Sequence, residues 1–220
     1  NKNKIKVVED AAQSIMSSYN GKMAGSWGDI GCFSTHPLKN LNAIGDGGFL
    51  TTSNKSIYEK AKNLSTHGMQ ESRDNVRSFG YVSRMDNLQA SILNYRLKNL
   101  KKIIKIRRKN VSIYLENLNF KKIFFPKERK SEKNTYHTFV IQVDQRDELK
   151  KFLKKAGIDT TIHYPTPIHL QTASKFLGYQ KGSFPKTEKQ SKRILSLPIN
   201  QYMTKTEILY ICKKINKFYS

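Results

Sequence analysis

The sequence predicts an α/β protein that ends in a smaller α+β domain. Short apolar runs and helical patterns fill the first half of the chain, which is typical of strands and helices that follow one another. From Tyr136 onward the pattern becomes strand, helix, strand, helix and helix, which is typical of a compact α+β domain. We therefore expect a first domain over residues 1–118 and a second over residues 119–220.

Three short strands are predicted in the first domain. The first, Ile5–Val8, is apolar on both faces and therefore needs neighbouring elements on both sides. Few nearby segments can supply these neighbours, so we expect the chain to begin within a domain. The other two strands are Ile30–Ser34 and Gly48–Thr52, while Ala11–Ser18 is a short helix or a turn.

Two helices are predicted in the first domain. Either Ser53 or Asn54 is expected to cap the first helix, because both side chains accept hydrogen bonds from helical N–H groups. The polar stretch Met69–Val82 is predicted to be a loop. Asp86 is expected to cap a long helix that continues, with or without a kink, to Leu118.

The second domain is predicted to contain two strands and three helices. Its first helix should end at Gly157, because glycine readily adopts the left-handed conformation that closes a helix. Thr204 is expected to cap the last helix. In order, the predicted elements are strand Tyr136–Val143, helix Asp147–Ala156, strand Ile158–Tyr164, helix Thr187–Ile194, the apolar segment Leu195–Ile199 and helix Thr204–Phe218.

The chain is strongly basic, with 40 Lys and Arg against 17 Asp and Glu and a formal net charge of +23. This charge makes nucleic acid, an anionic membrane or a phosphorylated substrate a candidate partner. The lysines are spread along the whole chain, however, so we favour a general compositional trait. The basic face over Lys98–Lys109 keeps a nucleic-acid-binding module open as an alternative, although a solvated helix face is favoured there.

The cysteine content and the length of the apolar runs indicate in which cellular compartment the protein is expected. Cys32 and Cys212 are far apart, which predicts neither a disulfide framework nor a metal-ligand cluster. No apolar run reaches the length of a membrane span. We therefore expect a cytoplasmic protein without a membrane partner.

The stretch Gly31–Gly48 contains a lysine in an unusual setting. Lys39 stands among Pro and small residues, after the hydroxyl of Ser34 and before a Gly-Asp-Gly-Gly turn. Pyridoxal phosphate chemistry needs a lysine amine for a Schiff base, an acid against the pyridine nitrogen, and hydroxyl or N–H groups for the phosphate. Asp10 follows a predicted strand, where open α/β sheets place ligand sites, although an acid there is by itself more often a cap. Together, the three residues predict a pyridoxal phosphate site.

Short motifs follow one another along nearly the whole chain. They include Glu-Asp-Ala-Ala-Gln at 9–13, Gly-Ser-Trp-Gly-Asp-Ile-Gly-Cys-Phe-Ser at 25–34, Pro-Leu-Lys-Asn-Leu at 37–41, Gly-Asp-Gly-Gly at 45–48, Ser-Arg-Met-Asp-Asn-Leu-Gln-Ala at 83–90 and Pro-Ile-His-Leu-Gln at 167–171. With these motifs the chain resembles the DegT/DnrJ/EryC1/StrS aminotransferases. The resemblance implies a fold-type I pyridoxal phosphate enzyme. The chain would then supply the C-terminal part of the large domain and the small α+β domain.

The resemblance also implies roles for individual residues. Lys39 would carry the Schiff base and move a proton between the substrate carbon and the cofactor. Asp10 would pair with the pyridine nitrogen, Gln13 would lie near the ring hydroxyl, and Ser34 would bind the phosphate. His36 would contact the substrate, although a role in orienting its own loop is an equally open interpretation.

Some further positions match the family pattern, and others depart from it. His169 would approach the substrate from the second domain, whereas His163 and Tyr164 are expected to be structural. Many members have Gly-Tyr-Asn where this chain has Gly-Tyr-Val, and that asparagine reaches the phosphate across a dimer interface. Val82 cannot donate a hydrogen bond, so we expect this contact to be lost. Members also carry a long segment before the equivalent of Asn1, with further cofactor contacts.

The expected activity is transfer of an amino group to a nucleotide-linked keto sugar, with glutamate as the donor. The resemblance places this reaction in amino-sugar synthesis for surface polysaccharide or glycan. It implies a homodimer and no nucleic-acid partner. Two alternatives stay open: the basic nucleic-acid-binding module and a relative that keeps the fold without catalysis.

Overall fold

The computed structural model describes residues 5–69, 74–76 and 78–220. It contains both helices and strands. The strands are β1 (Val8–Asp10), β2 (Ser18–Tyr19), β3 (Lys22–Met23), β4 (Ile30–Ser34), β5 (Gly48–Thr51), β6 (Ile123–Phe124), β7 (Glu132–Lys133), β8 (Phe139–Val143) and β9 (Ile194–Leu197). The α-helices are α1 (Lys55–Ser65), α2 (Asn87–Leu97), α3 (Leu100–Asn117), α4 (Arg146–Lys155), α5 (Pro185–Ser191) and α6 (Lys205–Tyr219), and 3₁₀ turns cover Ile168–Leu170 and Thr172–Leu177.

The chain divides into two compact units that interleave in sequence. Unit 1 comprises Asn1–Lys105 and Glu128–His137, and unit 2 comprises Ile106–Lys127 and Thr138–Ser220. The short stretch Glu128–His137 therefore returns to unit 1 after the chain has already entered unit 2. The division into domains over residues 1–118 and 119–220 stays a prediction.

The main sheet of unit 1 has β4 between β1 and β5. β1 is parallel to β4, and β5 is antiparallel to it. All three predicted strands are present, but the first lies at Val8–Asp10, later than Ile5–Val8. The two acids expected to follow that strand are therefore part of it. Ala11–Ser18 forms turns up to the start of β2 rather than a helix.

A second small sheet of unit 1 has the order β3-β2-β7. Its strands have two residues each, and β7 belongs to the returning stretch Glu128–His137. Neither this sheet nor the similarly short β6 was predicted, because two-residue strands carry no alternation that a sequence pattern can reveal.

The Glu9 side chain holds a loop against the main sheet. Its Oε2 accepts the N–H of Gly25 at 2.8 Å, and its Oε1 accepts the N–H groups of Trp27 at 2.5 Å and Gly28 at 2.6 Å. Desolvation by itself raises the pKa of Glu9, but these hydrogen bonds and the charge of Lys22 outweigh it, so the pKa is lowered overall. The carboxylate thus satisfies three backbone donors that no strand or helix pairs.

The helices of unit 1 differ from the prediction at one point. The predicted long helix is two helices, α2 and α3, separated at Lys98 and Asn99. Asn54 caps α1, because its side chain accepts the N–H of Ile57 at 3.1 Å. Asp86 occupies the cap position of α2 without a side-chain capping bond in the described part of the chain.

The apolar core of unit 1 lies beneath the segment that contains Lys39. Its buried members come from that segment and from α2 and α3, and three partly buried side chains pack against them. The core consists of Leu41, Ala43, Leu93, Leu100 and Ile104, with Ile15, Met16 and Met85 around it. Two of the buried residues, Leu41 and Ala43, therefore lie two and four positions after Lys39 and tie its loop to the core.

Unit 2 is an antiparallel sheet of order β6-β8-β9, with α4 in contact with β9 and α6 in contact with α4. Thr204 caps α6 in a capping box with Glu207, and Gly157 follows α4 with a φ of 75°, so both predicted helix boundaries are confirmed. The buried side chains of the core include Phe139, Ile141, Val143, Leu149, Leu153, Leu195, Ile208 and Ile215.

Two predicted elements of unit 2 were wrong. Ile158–Tyr164 is not a strand, and within it Thr161 forms only an isolated bridge with Ser196. Most of its side chains are exposed, so it lacks the buried face that would stabilise a strand. Ile194, predicted to end a helix, begins β9, because pairing with β8 overrides the local helical pattern.

The expected basic face is interrupted at Arg107. This guanidinium is buried and donates to Gln201 Oε1 and to the carbonyl of Ile199, each at 3.1 Å. Burial lowers the pKa of Arg107 to about 10. The assignment of Arg107 to a solvated face was therefore wrong. Within the described residues, every helix is too short or too polar to cross a membrane.

Replacing Glu9 by Gln is expected to destabilise unit 1. We expect the free energy of unfolding at neutral pH to fall by about 1–2 kcal/mol, because hydrogen bonds to a charged acceptor are stronger than those to a neutral one. The folded-state pKa of Glu9 is lowered. Its stabilisation is therefore present above the unfolded-state pKa and is lost as the pH falls through the folded-state pKa. Urea unfolding over an acidic to neutral pH series measures both effects.

Glu59→Gln is the matched control, because Glu59 is an exposed residue of α1. It should change the free energy of unfolding by no more than about 0.5 kcal/mol. A Glu9→Gln variant whose stability follows the wild-type value at every pH would show that the carboxylate does not stabilise the loop.

Candidate functional site

Asp10 and Ser34 lie at the carboxyl ends of two neighbouring parallel strands. β1 ends at Asp10, which is aligned with Cys32 of β4, and β4 ends at Ser34. Side chains alternate along a strand and aligned residues share a face, so Asp10, Cys32 and Ser34 are on one face of the sheet. Open α/β sheets bind ligands at the carboxyl ends of their strands. The acid and the hydroxyl predicted from the sequence are thus together at such an end.

The opposite face of the same strands is covered. It carries Glu9, Gly31 and Phe33, and the loop that begins at Gly25 packs against them. A Cβ atom added to Gly25 would lie 2.4 Å from the Phe33 ring, and one added to Gly31 would lie 2.4 Å from the Cα of Gly25. This close packing leaves the Asp10 face as the one to which a ligand could bind.

Lys39 lies in a closed loop between β4 and β5, which we call the Lys39 loop (residues 35–47). The N–H of Thr35 donates to the carbonyl of Gly47 at 2.8 Å, and the N–H of Ala43 donates to the carbonyl of Thr35 at 2.7 Å. Within the loop, the N–H of Lys39 donates to the carbonyl of His36 at 2.8 Å. The ends of the loop are therefore fixed to each other by backbone hydrogen bonds.

Side chains from inside and outside the Lys39 loop fix it further. Asn42 Nδ2 donates to the carbonyl of Pro37 at 2.7 Å, which spans the loop. From α2, Arg96 Nη1 donates to the carbonyl of Asn42 at 2.6 Å, and Gln89 Oε1 accepts the N–H of Ile44 at 2.9 Å. The segment without regular secondary structure is thus held by specific hydrogen bonds.

The glycines that end the Lys39 loop allow close backbone approach. A Cβ atom on Gly48 would lie 2.5 Å from the carbonyl oxygen of Phe33, across the β4–β5 pair. One on Gly47 would lie 2.8 Å from Thr35 Oγ1. Any larger residue at Gly48 would have to push the two strands apart, which accounts for glycine in this turn.

Three side chains expected to contact the cofactor make few contacts of their own. Lys39 is partly buried, and its Nζ forms no hydrogen bond or ion pair with the described residues. Asp10 Oδ1 accepts the N–H of Ala12 at 3.1 Å, and no described cation pairs with this carboxylate. Ser34 Oγ accepts the N–H of His36 at 3.3 Å, which leaves its hydroxyl hydrogen able to donate elsewhere.

The chemistry of this set fits pyridoxal phosphate. An amine, a carboxylate and a hydroxyl with unused hydrogen-bonding capacity are the groups that the aldehyde, the pyridine nitrogen and the phosphate require. Gln13 is exposed in the turns after β1, within the same unit. The structure therefore places Asp10, Gln13, Ser34 and Lys39 in unit 1, and their individual roles stay predictions.

His36 is oriented by its own loop. Its Nδ1 accepts the N–H of Leu38 at 3.2 Å, so in the neutral ring the proton is on Nε2. That Nε2 lies 3.8 Å from Asp46 Oδ1, at an exposed position. These contacts accord with the loop-orienting interpretation and leave Nε2 able to donate to a ligand.

His169 belongs to unit 2 and is buried there. Its Nε2 lies 3.0 Å from Glu188 Oε1, and its ring packs edge-on against Phe184 with centroids 4.8 Å apart. Glu188 Oε1 also accepts the N–H of Gly182 at 2.7 Å. Desolvation raises the pKa of Glu188, but the bonds from Gly182 and His169 outweigh it and lower the pKa overall. Substrate contact by His169 stays a prediction.

His163 and Tyr164, which are expected to be structural, contact each other, and His163 also contacts β9. His163 Nδ1 lies 2.8 Å from the hydroxyl of Ser196 in β9, and its ring packs edge-on against Tyr164.

Val82 is exposed, and its backbone forms an isolated bridge with Thr66. It lies in the predicted Met69–Val82 loop, of which residues 70–73 and 77 lie outside the described residues.

Sequence reasoning missed the residues that hold the Lys39 loop from outside it. Gln89 and Arg96 are seven positions apart on α2, so they lie on the same side of the helix, two turns from each other. Two long polar side chains repeating on one side of this helix were a usable signal. Glu9 was also missed, although neighbouring acids in a strand must point to opposite faces.

Residues 1–216 match the DegT/DnrJ/EryC1/StrS aminotransferase family. The chain belongs to this family. The resemblance inferred from the motifs is thereby confirmed, and so is the α/β fold class, because the solved members described below have the same fold.

Two curated relatives illustrate the range of names within the DegT/DnrJ/EryC1/StrS family. The pleiotropic regulatory protein of Geobacillus stearothermophilus is 38% identical over 216 residues, which are 97% of this chain and 58% of the relative. The dTDP-3-amino-3,6-dideoxy-alpha-D-galactopyranose transaminase of Aneurinibacillus thermoaerophilus is 36% identical over 214 residues, again 97% of this chain and 58% of the relative. The chain thus spans little more than half the length of these proteins.

Two solved members have the same fold over nearly the whole chain. S. venezuelae DesV, in complex with a ketimine intermediate, has a TM-score of 0.94 and 31% identity, and the match covers 99% of this chain and 58% of DesV. Spr1654 from Streptococcus pneumoniae, in its PLP form, has a TM-score of 0.90 and 25% identity, with coverage of 98% and 58%.

Replacing Gly48 by Ala is expected to separate β4 from β5. The added methyl group would lie 2.5 Å from a backbone oxygen that cannot move by itself. We expect the free energy of unfolding, measured in urea, to fall by about 2–3 kcal/mol.

Gly45→Ala is the control for Gly48→Ala. There the added methyl group would lie 2.8 Å from the end of the flexible Gln89 side chain, which can move aside. The loss should be about 1 kcal/mol, the value of one neutral hydrogen bond. Equal losses in the two variants would contradict the close strand approach at Gly48.

Proposed function

We propose that the protein transfers an amino group to a nucleotide-linked keto sugar with pyridoxal phosphate as cofactor. One observation carries this proposal. Asp10 and Ser34 are on one face at the carboxyl ends of paired strands, and Lys39 follows in the next loop without a protein partner for its amine among the described residues. Membership of the aminotransferase family supports the same reaction.

Each residue has a defined task in this proposal. The Lys39 amine binds the cofactor covalently and then takes and returns a proton at the substrate carbon. The Asp10 carboxylate keeps the pyridine nitrogen protonated, Ser34 donates to the phosphate, and Gln13 bonds the ring hydroxyl. When bound, the cofactor accepts the electrons of the bond that breaks at the substrate carbon. The close packing behind the sheet keeps the carboxylate and the hydroxyl in place.

The proposed reaction and the names of relatives support a proposal for the substrates. A transaminase of Aneurinibacillus thermoaerophilus is named for a dTDP-linked amino sugar, and one of Acidithiobacillus ferrooxidans for a UDP-linked sugar. We infer a nucleoside-diphosphate keto sugar as acceptor and glutamate as donor, in the synthesis of a surface polysaccharide or glycan. His36 and His169 would contact the sugar nucleotide.

We further propose a cytoplasmic homodimer. Tyr81, Val82, Leu88 and Tyr95 of unit 1 expose most of their apolar surface, and pairing of two copies would cover such side chains. Cys32 and Cys212 are both unpaired, which accords with a reducing compartment.

A regulator without catalysis is the second candidate function. It is supported by the relative from Geobacillus stearothermophilus, which is named a pleiotropic regulatory protein. Retention of a lysine, an acid and a hydroxyl at the predicted positions favours catalysis over this alternative.

Lys39→Ala tests the proposed function. The full-length gene product is incubated with pyridoxal phosphate, reduced with sodium borohydride and digested, and the reduced cofactor is located by peptide mass spectrometry. We expect the adduct on Lys39 in the wild type, and no specific adduct and no glutamate-dependent amino transfer in the variant, because no other group can replace the amine.

Lys55→Ala is the matched control, since Lys55 is an exposed lysine at the start of α1. It should leave both the adduct and the turnover unchanged. Turnover that survives Lys39→Ala would overturn the assignment. A wild-type protein that forms the adduct but transfers no amino group to any nucleotide-linked keto sugar tested would favour the regulator.

Asp10→Asn separates binding from catalysis. The amide keeps the shape of the side chain but lacks the charge that holds a proton on the pyridine nitrogen. We expect amino transfer to slow by about 100-fold, while the Lys39 adduct still forms. Asp159→Asn, which removes an exposed carboxylate in unit 2, should not change the rate. A rate for Asp10→Asn within twofold of the wild type would be incompatible with the role of Asp10.

A further inference from the structure

The residue directly after Lys39 is anchored to a distant part of the chain. Asn40 is buried, with 8% of its surface exposed, and its Nδ2 donates to the carbonyl of Thr135 at 3.1 Å. The two residues are 95 positions apart, and both belong to unit 1. The bond therefore joins the Lys39 loop to the returning stretch Glu128–His137.

That stretch is itself fixed to unit 1. Thr135 is fully buried, and its Oγ1 lies 3.1 Å from the hydroxyl of Ser17. Two residues earlier, β7 pairs with β2, with Ser18 aligned to Lys133. The Thr135 carbonyl that accepts the hydrogen bond from Asn40 thus belongs to a segment that is also held by the contact with Ser17 and by the pairing of β7 with β2. Its position is therefore well defined.

The backbone position of Lys39 depends on hydrogen bonds of this kind. No strand or α-helix includes the residues between Ser34 and Gly48, so the path of the backbone there is defined by specific hydrogen bonds and by the packing of Leu41 and Ala43 in the core. Arg96 and Gln89 hold the loop after Lys39, and Asn40 is the residue next to it whose side chain reaches outside the loop.

We propose that Asn40 is a positioning residue for Lys39, and that Thr135 of the returning stretch is thereby part of the active-site framework. This inference rests on the proposed function. The hydrogen bond from Asn40 to Thr135 holds the backbone next to Lys39, and it would thereby limit where the Lys39 amine can lie relative to a bound aldehyde. Small errors in such a distance slow a covalent step severely.

The amide of Asn40 is poorly suited to a purely structural role. Its Oδ1 is buried without a hydrogen-bond partner in the described part of the chain. An unpaired buried acceptor costs stability, so the side chain that gives the most stable fold at this position would be apolar. What the amide alone provides is the Nδ2 donor directed at Thr135.

The test compares Asn40→Leu and Asn40→Asp with the wild type in the full-length protein. Leucine removes both the donor and the unpaired acceptor, whereas the carboxyl of the second variant donates only when it is protonated. Pyridoxal phosphate is added, trapped with sodium cyanoborohydride and mapped by peptide mass spectrometry. The rate of adduct formation on Lys39 is the readout, expressed relative to the wild type at each pH.

We expect Asn40→Leu to form the Lys39 adduct about 10-fold more slowly at every pH, with adducts on other lysines unchanged. Asn40→Asp should be equally slow at neutral pH. Its rate should recover toward the wild type as the pH falls, because the protonated carboxyl restores the bond to Thr135. A role in folding alone would not give this recovery.

Asn54→Ala is the control for stability, because it removes the cap of α1, which is elsewhere in unit 1. It should lower the melting temperature at least as much as Asn40→Leu while leaving the Lys39 adduct rate unchanged. Equal adduct rates in the wild type and in both Asn40 variants would overturn the positioning role and leave the proposed function intact. A wild type without a Lys39 adduct would overturn both.

Discussion

The arrangement of the site depends on the hydrogen bonds that Glu9 accepts from the loop at Gly25. They determine which face of the β1–β4 pair the loop covers, and therefore which face Asp10 occupies. A slip of β1 by one residue would exchange the two carboxylates and leave three backbone N–H groups of the loop unpaired. The adjacent acids are thus not equivalent: Glu9 stabilises the fold, and Asp10 remains available for chemistry.

The backbone around Lys39 is held by close glycine contacts, by side-chain hydrogen bonds and by the buried Leu41 and Ala43 rather than by regular secondary structure. Gly48 lets the strand after the loop approach Phe33 closely. Gln89 and Arg96 of α2 bond the loop on one side, and Asn40 bonds it to the stretch Glu128–His137. The lysine amine itself stays without a partner among the described residues. Anchoring the backbone while leaving the amine unpaired is the arrangement that preorganisation would require if Lys39 reacts as proposed.

The sequence predicted contacts between residues that are close in sequence better than contacts between residues that are far apart in it. Local signals worked: Thr204 with Glu207 and Gly157 after α4 marked helix ends correctly, because caps involve residues a few positions apart. The assignment of Asp10, Ser34 and Lys39 to a cofactor site stays a prediction, and it rested on the setting and order of these residues together with the family motifs. The bond from Asn40 to Thr135 could not be found, because only the folded chain brings these residues together.

The return of Glu128–His137 to unit 1 has a consequence for how the protein folds during its synthesis. β7 and the Thr135 carbonyl are made after the whole of α3, so unit 1 cannot close its second sheet until that later stretch has left the ribosome. At about 5–20 residues per second, this delay lasts seconds. During that interval the edge of β2 that pairs with β7 and the amide of Asn40 lack their folded-state partners, and an unpaired strand edge favours aggregation.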